Sequence, residues 1–372
     1  MSFLRITLCL LLCSIAVTSP GWAAAQETHA PAPKAGSAKG SSPNQSPDSD
    51  QSVTSSRVPA NLEQLRQLID RGHGDDALKQ LDDLSAQHPG TPGVERLRGL
   101  ALYSLNRFAE ADAAFAAALK QDDHDEESRQ MRGLTLFRLN KPADAIPLLE
   151  AAHIWTAQTK IDPSYVLGLC YLDTRLYDKA RAAFASQYGF PPESASAYLL
   201  AARMLLRREY LPVAREFASK ALVLDPQLPL AHALLGEVAM AGGHLDEAIE
   251  QFEKERLRNP LDGGVYDRLG DAYTRAGDYT KAQQSLQRAL LLEPNSTGPY
   301  ILLGKVLLKK QDPVNAVMYL ERAEAMDPRN SMTHSLLGQA YRALGRTDDA
   351  SREILAAQKL QAASEPRLET IH

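Results

Sequence analysis

The densest group of side chains that could bind a metal ion is the run DDHDEE, Asp122–Glu127, in which carboxylates flank His124 on both sides. Carboxylate oxygens and an imidazole nitrogen are ligands that divalent cations use in proteins. The order of these residues matches no common spacing of a metal-binding loop, and charge runs usually lie in solvent. The run is therefore interpreted as a solvated turn, and the sequence predicts no metal site.

A second group, His244 with Asp246 and Glu247, follows a pair of glycines and opens a segment of helical pattern. Carboxylates in such a place favour the N-terminus of a helix. No glycine-rich loop follows a predicted strand, so nothing indicates a phosphate-binding site. Without a catalytic constellation, and without residues left over for a catalytic domain, the sequence predicts a noncatalytic chain that needs no cofactor.

The segments that carry these side chains are short helices in a repeating pattern. The stretch Pro229–Pro260 predicts two helices separated by Gly242 and Gly243. Gly270 follows Gly236 by 34 residues, and Gly304 follows Gly270 by the same interval. A fixed period of this length is typical of a stacked helix–turn–helix array.

The same register extends over most of the chain. It predicts nine repeats, with Lys160 as one inserted residue, at 58–91, 92–125, 126–159, 161–194, 195–228, 229–262, 263–296, 297–330 and 331–364. Each repeat carries one alanine in its second helix: Ala77, Ala111, Ala145, Ala180, Ala214, Ala248, Ala282, Ala316 and Ala350. Small residues at this position and at the first-helix glycine let the two helices of a repeat approach closely. Glycine or asparagine at the turn can adopt the left-handed conformation that ends a helix.

The repeat that begins at Gly263 resembles the tetratricopeptide repeat family in its aromatic, Leu-Gly, Ala and Pro positions. The matching residues are Tyr266, Leu269, Gly270, Tyr273, Ala282, Leu286, Ala289 and Pro294. The resemblance implies an all-α fold, a right-handed superhelix of about nine helix–turn–helix units. It also implies that the first helices line a concave groove that binds a peptide or protein partner.

Carried over by repeat position, the resemblance places a set of residues in that groove that is first apolar, then basic, then acidic and again basic. They are Leu100, Tyr103, Leu134, Phe137, Tyr165, Leu169, Leu172, Arg203, Arg207, Glu237, Asp267, Asp271 and Lys305. An apolar run on a face that should be wet suggests a binding patch. We expect aromatic anchors on repeats two to four, with Arg203 and Arg207 contacting acidic groups of the partner.

The N-terminal residues predict export. Residues 1–25 combine Arg5, a short apolar core and the small residues Ala23, Ala24 and Ala25, which is typical of a secretory signal cleaved before Gln26. Residues 26–57 offer little to bury and predict a disordered linker, and 365–372 form a short tail. We expect a periplasmic or secreted protein without a stable membrane span after cleavage. The alternative is an inner-membrane anchor through an uncleaved signal.

Charge and cysteine content restrict the remaining possibilities. A net charge of −5 gives no bulk attraction for nucleic acid or for an anionic membrane. Cys9 and Cys13 leave with the signal, so the mature chain keeps only Cys170, which is predicted to be a buried thiol.

Three functions fit the sequence. The preferred one is an exported scaffold or adaptor that holds a protein or peptide in its groove. The second is an accessory subunit of a bacterial envelope complex for polysaccharide synthesis or export, or for pilus assembly. The third, an intracellular regulator, requires that the signal interpretation be wrong.

Overall fold

The computed structural model describes residues 52–152 and 163–364, with side chains described over 61–152 and 163–363. The predicted signal peptide, most of the predicted linker, Lys160 and the C-terminal tail lie outside the described residues. Within those ranges the chain is all helical and contains no strand. The predicted fold class, an all-α solenoid of helix–turn–helix units, is confirmed.

Eighteen helices are described, and they pair in chain order as the first and second helices of nine hairpins. They are α1 Ser52–Asp70, α2 Gly74–Gln87, α3 Val94–Ser104, α4 Phe108–Gln121, α5 Glu126–Arg138, α6 Pro142–Ala151, α7 Pro163–Asp173, α8 Tyr177–Tyr188, α9 Ala195–Arg207, α10 Leu211–Leu224, α11 Ala231–Ala241, α12 Leu245–Arg258, α13 Gly263–Ala276, α14 Tyr279–Leu292, α15 Thr297–Lys309, α16 Pro313–Met326, α17 Ser331–Ala343 and α18 Thr347–Ser364. Helix α1 begins at Ser52, so it overlaps the end of the predicted linker. None of these helices combines the length and the apolar composition that a membrane span requires.

The described chain divides into two compact units, one that ends at Cys170 and one that begins at Tyr171. Within the first unit a single core runs from Leu65 to Cys170, whose side chain is fully buried as predicted. Within the second unit, apolar side chains of successive hairpins form further core clusters, such as the one that contains Phe252 and Leu286. Each unit is therefore held together by contacts between neighbouring hairpins.

The first-helix glycines lie where the two helices of a hairpin meet. A Cβ atom on Gly270 would lie 2.4 Å from Cγ of Leu286, and one on Gly99 would lie 2.5 Å from Cε1 of Phe115. Real Cβ atoms do not approach other heavy atoms so closely, so these positions exclude any larger residue. The partner alanines of the second helices are also buried, from Ala77 to Ala350.

The turn between the two helices uses a left-handed residue at the same position of every repeat. In six repeats this residue is a glycine or an asparagine, as expected for a left-handed conformation: Gly72, Asn106, Asn140, Gly243, Gly277 and Gly345. The other three repeats place Arg175, Glu209 and Gln311 in the same conformation, with φ near +60°. The hairpin geometry thus overrides the residue type, at some cost in backbone energy.

A recurring hydrogen bond links adjacent repeats. The fourth residue of one repeat donates to the carbonyl of the proline in the loop that follows the previous repeat's second helix. The Tyr266 hydroxyl donates to the Pro260 carbonyl at 3.2 Å, and the Tyr300 hydroxyl donates to the Pro294 carbonyl at 3.2 Å. Each of these carbonyls lies two residues beyond the last residue of a helix, so the contact gives a loop carbonyl a hydrogen-bond partner.

Successive first helices also pack on one another. In the first unit α1 contacts α3, and α3 contacts α5; in the second unit α9 contacts α11, α13 contacts α15, and α15 contacts α17. The second helices instead pack mainly on the first helices of their own and the next repeat. One face of each unit is therefore lined by first helices, and we call it the groove face.

Candidate functional site

The groove face holds most of the predicted residues in positions that a partner could reach. Arg207 and Lys305 are exposed, and nine others are half-buried: Leu100, Tyr103, Phe137, Tyr165, Leu169, Arg203, Glu237, Asp267 and Asp271. Two predicted residues are core instead, since Leu134 is 3% exposed and Leu172 is fully buried. Both were assigned from repeat position, but at those places the neighbouring helices cover the side chain.

The apolar part of the groove face in the first unit contributes to packing as well as to surface. Leu100, Tyr103 and Phe137 contact the core of that unit while remaining half-buried. The Tyr103 ring lies edge-on to Phe108, with 5.4 Å between ring centroids, and the Arg138 guanidinium lies over the same Phe108 ring. Burial raises the pKa of Tyr103. Packing against the core and the ring contact therefore hold these side chains in place.

Ion pairs cross-link first helices in the same unit. The Arg66 guanidinium of α1 donates two hydrogen bonds to the Glu127 carboxylate at the start of α5, one at 2.8 Å. Arg96 of α3 lies 3.4 Å from Asp125 and 3.5 Å from Glu127. The sequence did not indicate the Arg66–Glu127 pair, because its members lie far apart in the chain.

The charged run Asp122–Glu127 contributes to this packing, since Asp125 and Glu127 belong to it. Asp125 caps α5 by accepting a hydrogen bond from the Ser128 backbone at 3.0 Å. Asp122, Asp123 and His124 are exposed. The run thus combines one helix-capping aspartate with three side chains that extend into solvent.

In the second unit, the predicted basic and acidic parts pair with one another. Glu237 of α11 lies 3.8 Å from Arg203 of α9 and accepts a hydrogen bond from Nε of Arg268 at 2.6 Å. Asp271 pairs with Arg275 at 2.9 Å. Arg203 lies at ion-pair distance from Glu237, and its Nε atom is buried with no hydrogen-bond partner among the described residues. Its contact with an acidic group of a partner stays a prediction.

Asp267, on α13, differs from these paired acids. Its Oδ1 atom is buried and has no hydrogen-bond partner among the described residues. Its Oδ2 atom lies 3.6 Å from the point where a Cβ on Gly298 would be, at the start of α15. Burial raises the pKa of Asp267 to about 6; the nearby Arg268 opposes this rise, whereas Asp271 and Glu293 add to it.

The repeats predicted from the spacing of small and apolar residues form helical hairpins in the structure. Comparison of the sequence with known families gives the same result. Models of the tetratricopeptide repeat match residues 62–126, 165–229, 264–296 and 307–371, which together are more than half of the chain. The chain belongs to the tetratricopeptide repeat family. Arrays of this family are generally noncatalytic, and membership supports a protein-interaction scaffold.

Several solved structures resemble parts of this chain. MamA from Desulfovibrio magneticus RS-1 is 18% identical, with 46% of this chain and 97% of that chain covered and a TM-score of 0.43. YrrB, described as a tetratricopeptide repeat protein with an unusual peptide-binding site, is 23% identical, with 50% and 95% covered and a TM-score of 0.42. Cut9–Hcn1 of the APC/C is 20% identical, with 74% and 48% covered and a TM-score of 0.40. Similarity at this level transfers no function, and no curated protein sequence matches the chain.

Proposed function

We propose that this tetratricopeptide repeat chain is a noncatalytic scaffold that binds a protein or peptide segment on its groove face. We further propose that the Asp267 carboxylate anchors a cationic group of that partner, such as a lysine, an arginine or an N-terminal amine. The observation that carries this proposal is the buried Oδ1 atom of Asp267, which has no hydrogen-bond partner among the described residues.

A carboxylate in such a place is costly to the fold. A polar atom that leaves water without gaining a hydrogen bond destabilises the folded state, and an ionised one does so more strongly. The neighbouring acids Glu237 and Asp271 avoid this cost through arginine partners. A cationic group that enters the space beside Gly298 would donate a charge-assisted hydrogen bond to Oδ2 of Asp267 and so stabilise the ionised carboxylate.

The apolar groove residues of the first unit provide a separate contact region. Leu100, Tyr103, Phe137, Tyr165 and Leu169 are half-buried and belong to three consecutive first helices. Aromatic side chains held in place by a core are frequent anchors of interfaces. We propose that an apolar part of the partner contacts this region.

Selection from a displayed peptide library on the purified chain tests the proposal without knowledge of the partner. The selected peptides should share a lysine or an arginine, and one of them, made synthetically, should bind D267N at least tenfold more weakly than the unchanged chain. The matched control is E216Q, which removes an exposed carboxylate from the second helix α10 and should leave binding unchanged. Selected peptides without a basic residue, or equal binding to D267N, would overturn the Asp267 anchor.

We also propose that the scaffold acts after export, in the periplasm or outside the cell. This proposal rests on the residues of the first 25 positions, which have the n-region, apolar core and small cleavage-site residues of a secretory signal.

A further inference from the structure

Three potential metal ligands converge where the last two repeats meet. The Nδ1 atom of His334, on α17, lies 2.7 Å from Oε2 of Glu353 on α18 and 3.8 Å from Oε1 of Glu324 on α16. One ligand atom from each residue lies within 4.8 Å of the others. The side chains of His334 and Glu353 are each 8% exposed, whereas that of Glu324 is 35% exposed.

The orientation of the imidazole ring is fixed by the backbone. Nε2 of His334 lies 2.9 Å from the carbonyl oxygen of Pro328. A carbonyl can only accept, so Nε2 carries a hydrogen and Nδ1 faces the two carboxylates. The 2.7 Å contact between Nδ1 and Oε2 of Glu353 is a second hydrogen bond, whose proton a bound metal ion would displace. Histidines that bind metals usually hold their other ring nitrogen in this way, by donating to a carbonyl or a carboxylate.

The other repeats show that the fold does not need these carboxylates. The equivalent residue of the sixth repeat, His232, has Nδ1 2.7 Å from Oε1 of Gln251, a neutral amide at the position of Glu353. Leu222 occupies the position of Glu324. At the position of His334, the tyrosines Tyr266 and Tyr300 donate to the carbonyl of the proline that precedes them.

We propose that His334, Glu324 and Glu353 form a binding site for a divalent transition metal ion of the zinc class. Two ligands of a tetrahedral zinc ion, each about 2.1 Å from it, lie about 3.4 Å apart. The observed separations bracket that distance, and the partly exposed Glu324 can adjust its position. One imidazole with two carboxylates balances the charge of the ion, and imidazole favours zinc over calcium or magnesium. Arg352 lies 3.4 Å from Oε1 of Glu353, which leaves Oε2 directed toward the site.

A bound ion would join α16, α17 and α18, which are the last three helices described. Since each repeat contacts only its neighbours, the stabilisation would concentrate in repeats eight and nine. We therefore expect the stability of repeats eight and nine to depend on the metal ion, independently of any binding at the groove face.

The test uses the full chain without a histidine tag and zinc sulfate alone as the ligand, followed by titration calorimetry and thermal melting. The unchanged chain should bind one equivalent of zinc and melt at a higher temperature when zinc is present. E353Q recreates the His232–Gln251 pair, so it should fold and bind zinc at least tenfold more weakly, in line with the losses seen at metal sites. E324Q should also bind more weakly and leaves the Pro328 contact intact.

E250Q is the matched control: it removes an exposed carboxylate from α12 and should leave the titration unchanged. If the unchanged chain binds no zinc, or if E353Q and E324Q both bind as well as the unchanged chain, the site does not exist. If E353Q fails to fold, E324Q alone decides between these outcomes.

Discussion

The Oδ2 atom of Asp267 lies 3.6 Å from the point that a Cβ atom would occupy on Gly298. The absence of a side chain at the start of α15 thus leaves open space beside a carboxylate whose other oxygen has no hydrogen-bond partner among the described residues. Asp267 lies beside open space at Gly298, whereas the neighbouring acids Glu237 and Asp271 lie beside arginines.

Filling that space should block the proposed anchor. Gly298 is exposed in the free chain, so we expect G298L to melt normally but to bind a selected basic peptide at least tenfold more weakly. G298A adds a methyl group at ordinary contact distance from Asp267 and should have a smaller effect. Calorimetric titration of both variants with the same peptide measures this. If G298L binds the peptide as well as the unchanged chain, the partner does not occupy the space beside Gly298.

The raised pKa of Asp267 predicts a specific dependence of stability on pH. The folded state holds the proton up to a pKa of about 6, whereas the unfolded chain releases it near 3.8. The folded state therefore binds more protons between these values, so stability falls as pH rises from about 4 to 6. At pH 8 the ionised group costs on the order of 3 kcal/mol.

The substitution D267N removes this charge, so it should stabilise the chain above pH 6 and have little effect below pH 4. Melting curves of both proteins across this range provide the measurement. A constant difference at every pH would show that Asp267 does not titrate in this range. The gain in stability together with the loss of binding would be the trade-off expected of a functional group.

The contact between Gly270 and Leu286 should dominate the local stability of the seventh repeat. G270A places a Cβ atom 2.4 Å from Leu286, and overpacking of this kind costs about 1–3 kcal/mol. Hydrogen exchange should show the loss mainly in repeats six to eight, because coupling is between nearest neighbours. L286A in the same chain should offset part of it. G298A is the matched control, and a loss spread evenly over every repeat would contradict local coupling.

The unusual turn residues predict a stabilising substitution. Glu209 has φ of +60°, a conformation that costs a residue with a side chain about 1–2 kcal/mol. E209G should relieve that cost, whereas G277V, at the equivalent turn, should destabilise its own repeat. Local hydrogen-exchange free energies report both effects. A destabilising E209G would mean that the Glu209 side chain contributes more than its backbone costs.

Export has its own direct test. N-terminal sequencing of protein from an envelope fraction should begin at Gln26, because Ala23, Ala24 and Ala25 offer small residues for cleavage. A chain that begins at Met1 in that fraction would favour the uncleaved anchor. An intact chain in soluble cytoplasm would instead favour the intracellular regulator.

The 34-residue spacing predicted most of the fold. It is marked by glycines and alanines that recur where two helices must pack closely, so the spacing reports the packing itself. Gly270 and Ala282 were placed correctly from spacing alone, and so was the turn at Gly277. Register could also have identified Glu209 as a left-handed residue, but residue type argued against it. Repeat position did not distinguish Leu134 from Phe137, because their exposure depends on how closely adjacent first helices pack.

The sites that involve charge were harder to predict. Arg66 and Glu127 belong to different repeats, and their contact depends on the packing of α1, α3 and α5. His334 and its two carboxylates come from three helices, so no local spacing shows them. Aligning the repeats could have indicated the site, because His334 and Glu353 occupy the repeat positions of His232 and Gln251.

Hydrogen exchange of the chain with and without a selected basic peptide tests the groove-face proposal most directly. We expect added protection on the first helices α13 and α15, around Asp267 and Gly298, and no added protection in D267N. Protection confined to second helices such as α12 and α14, or equal protection in D267N, would contradict the proposal.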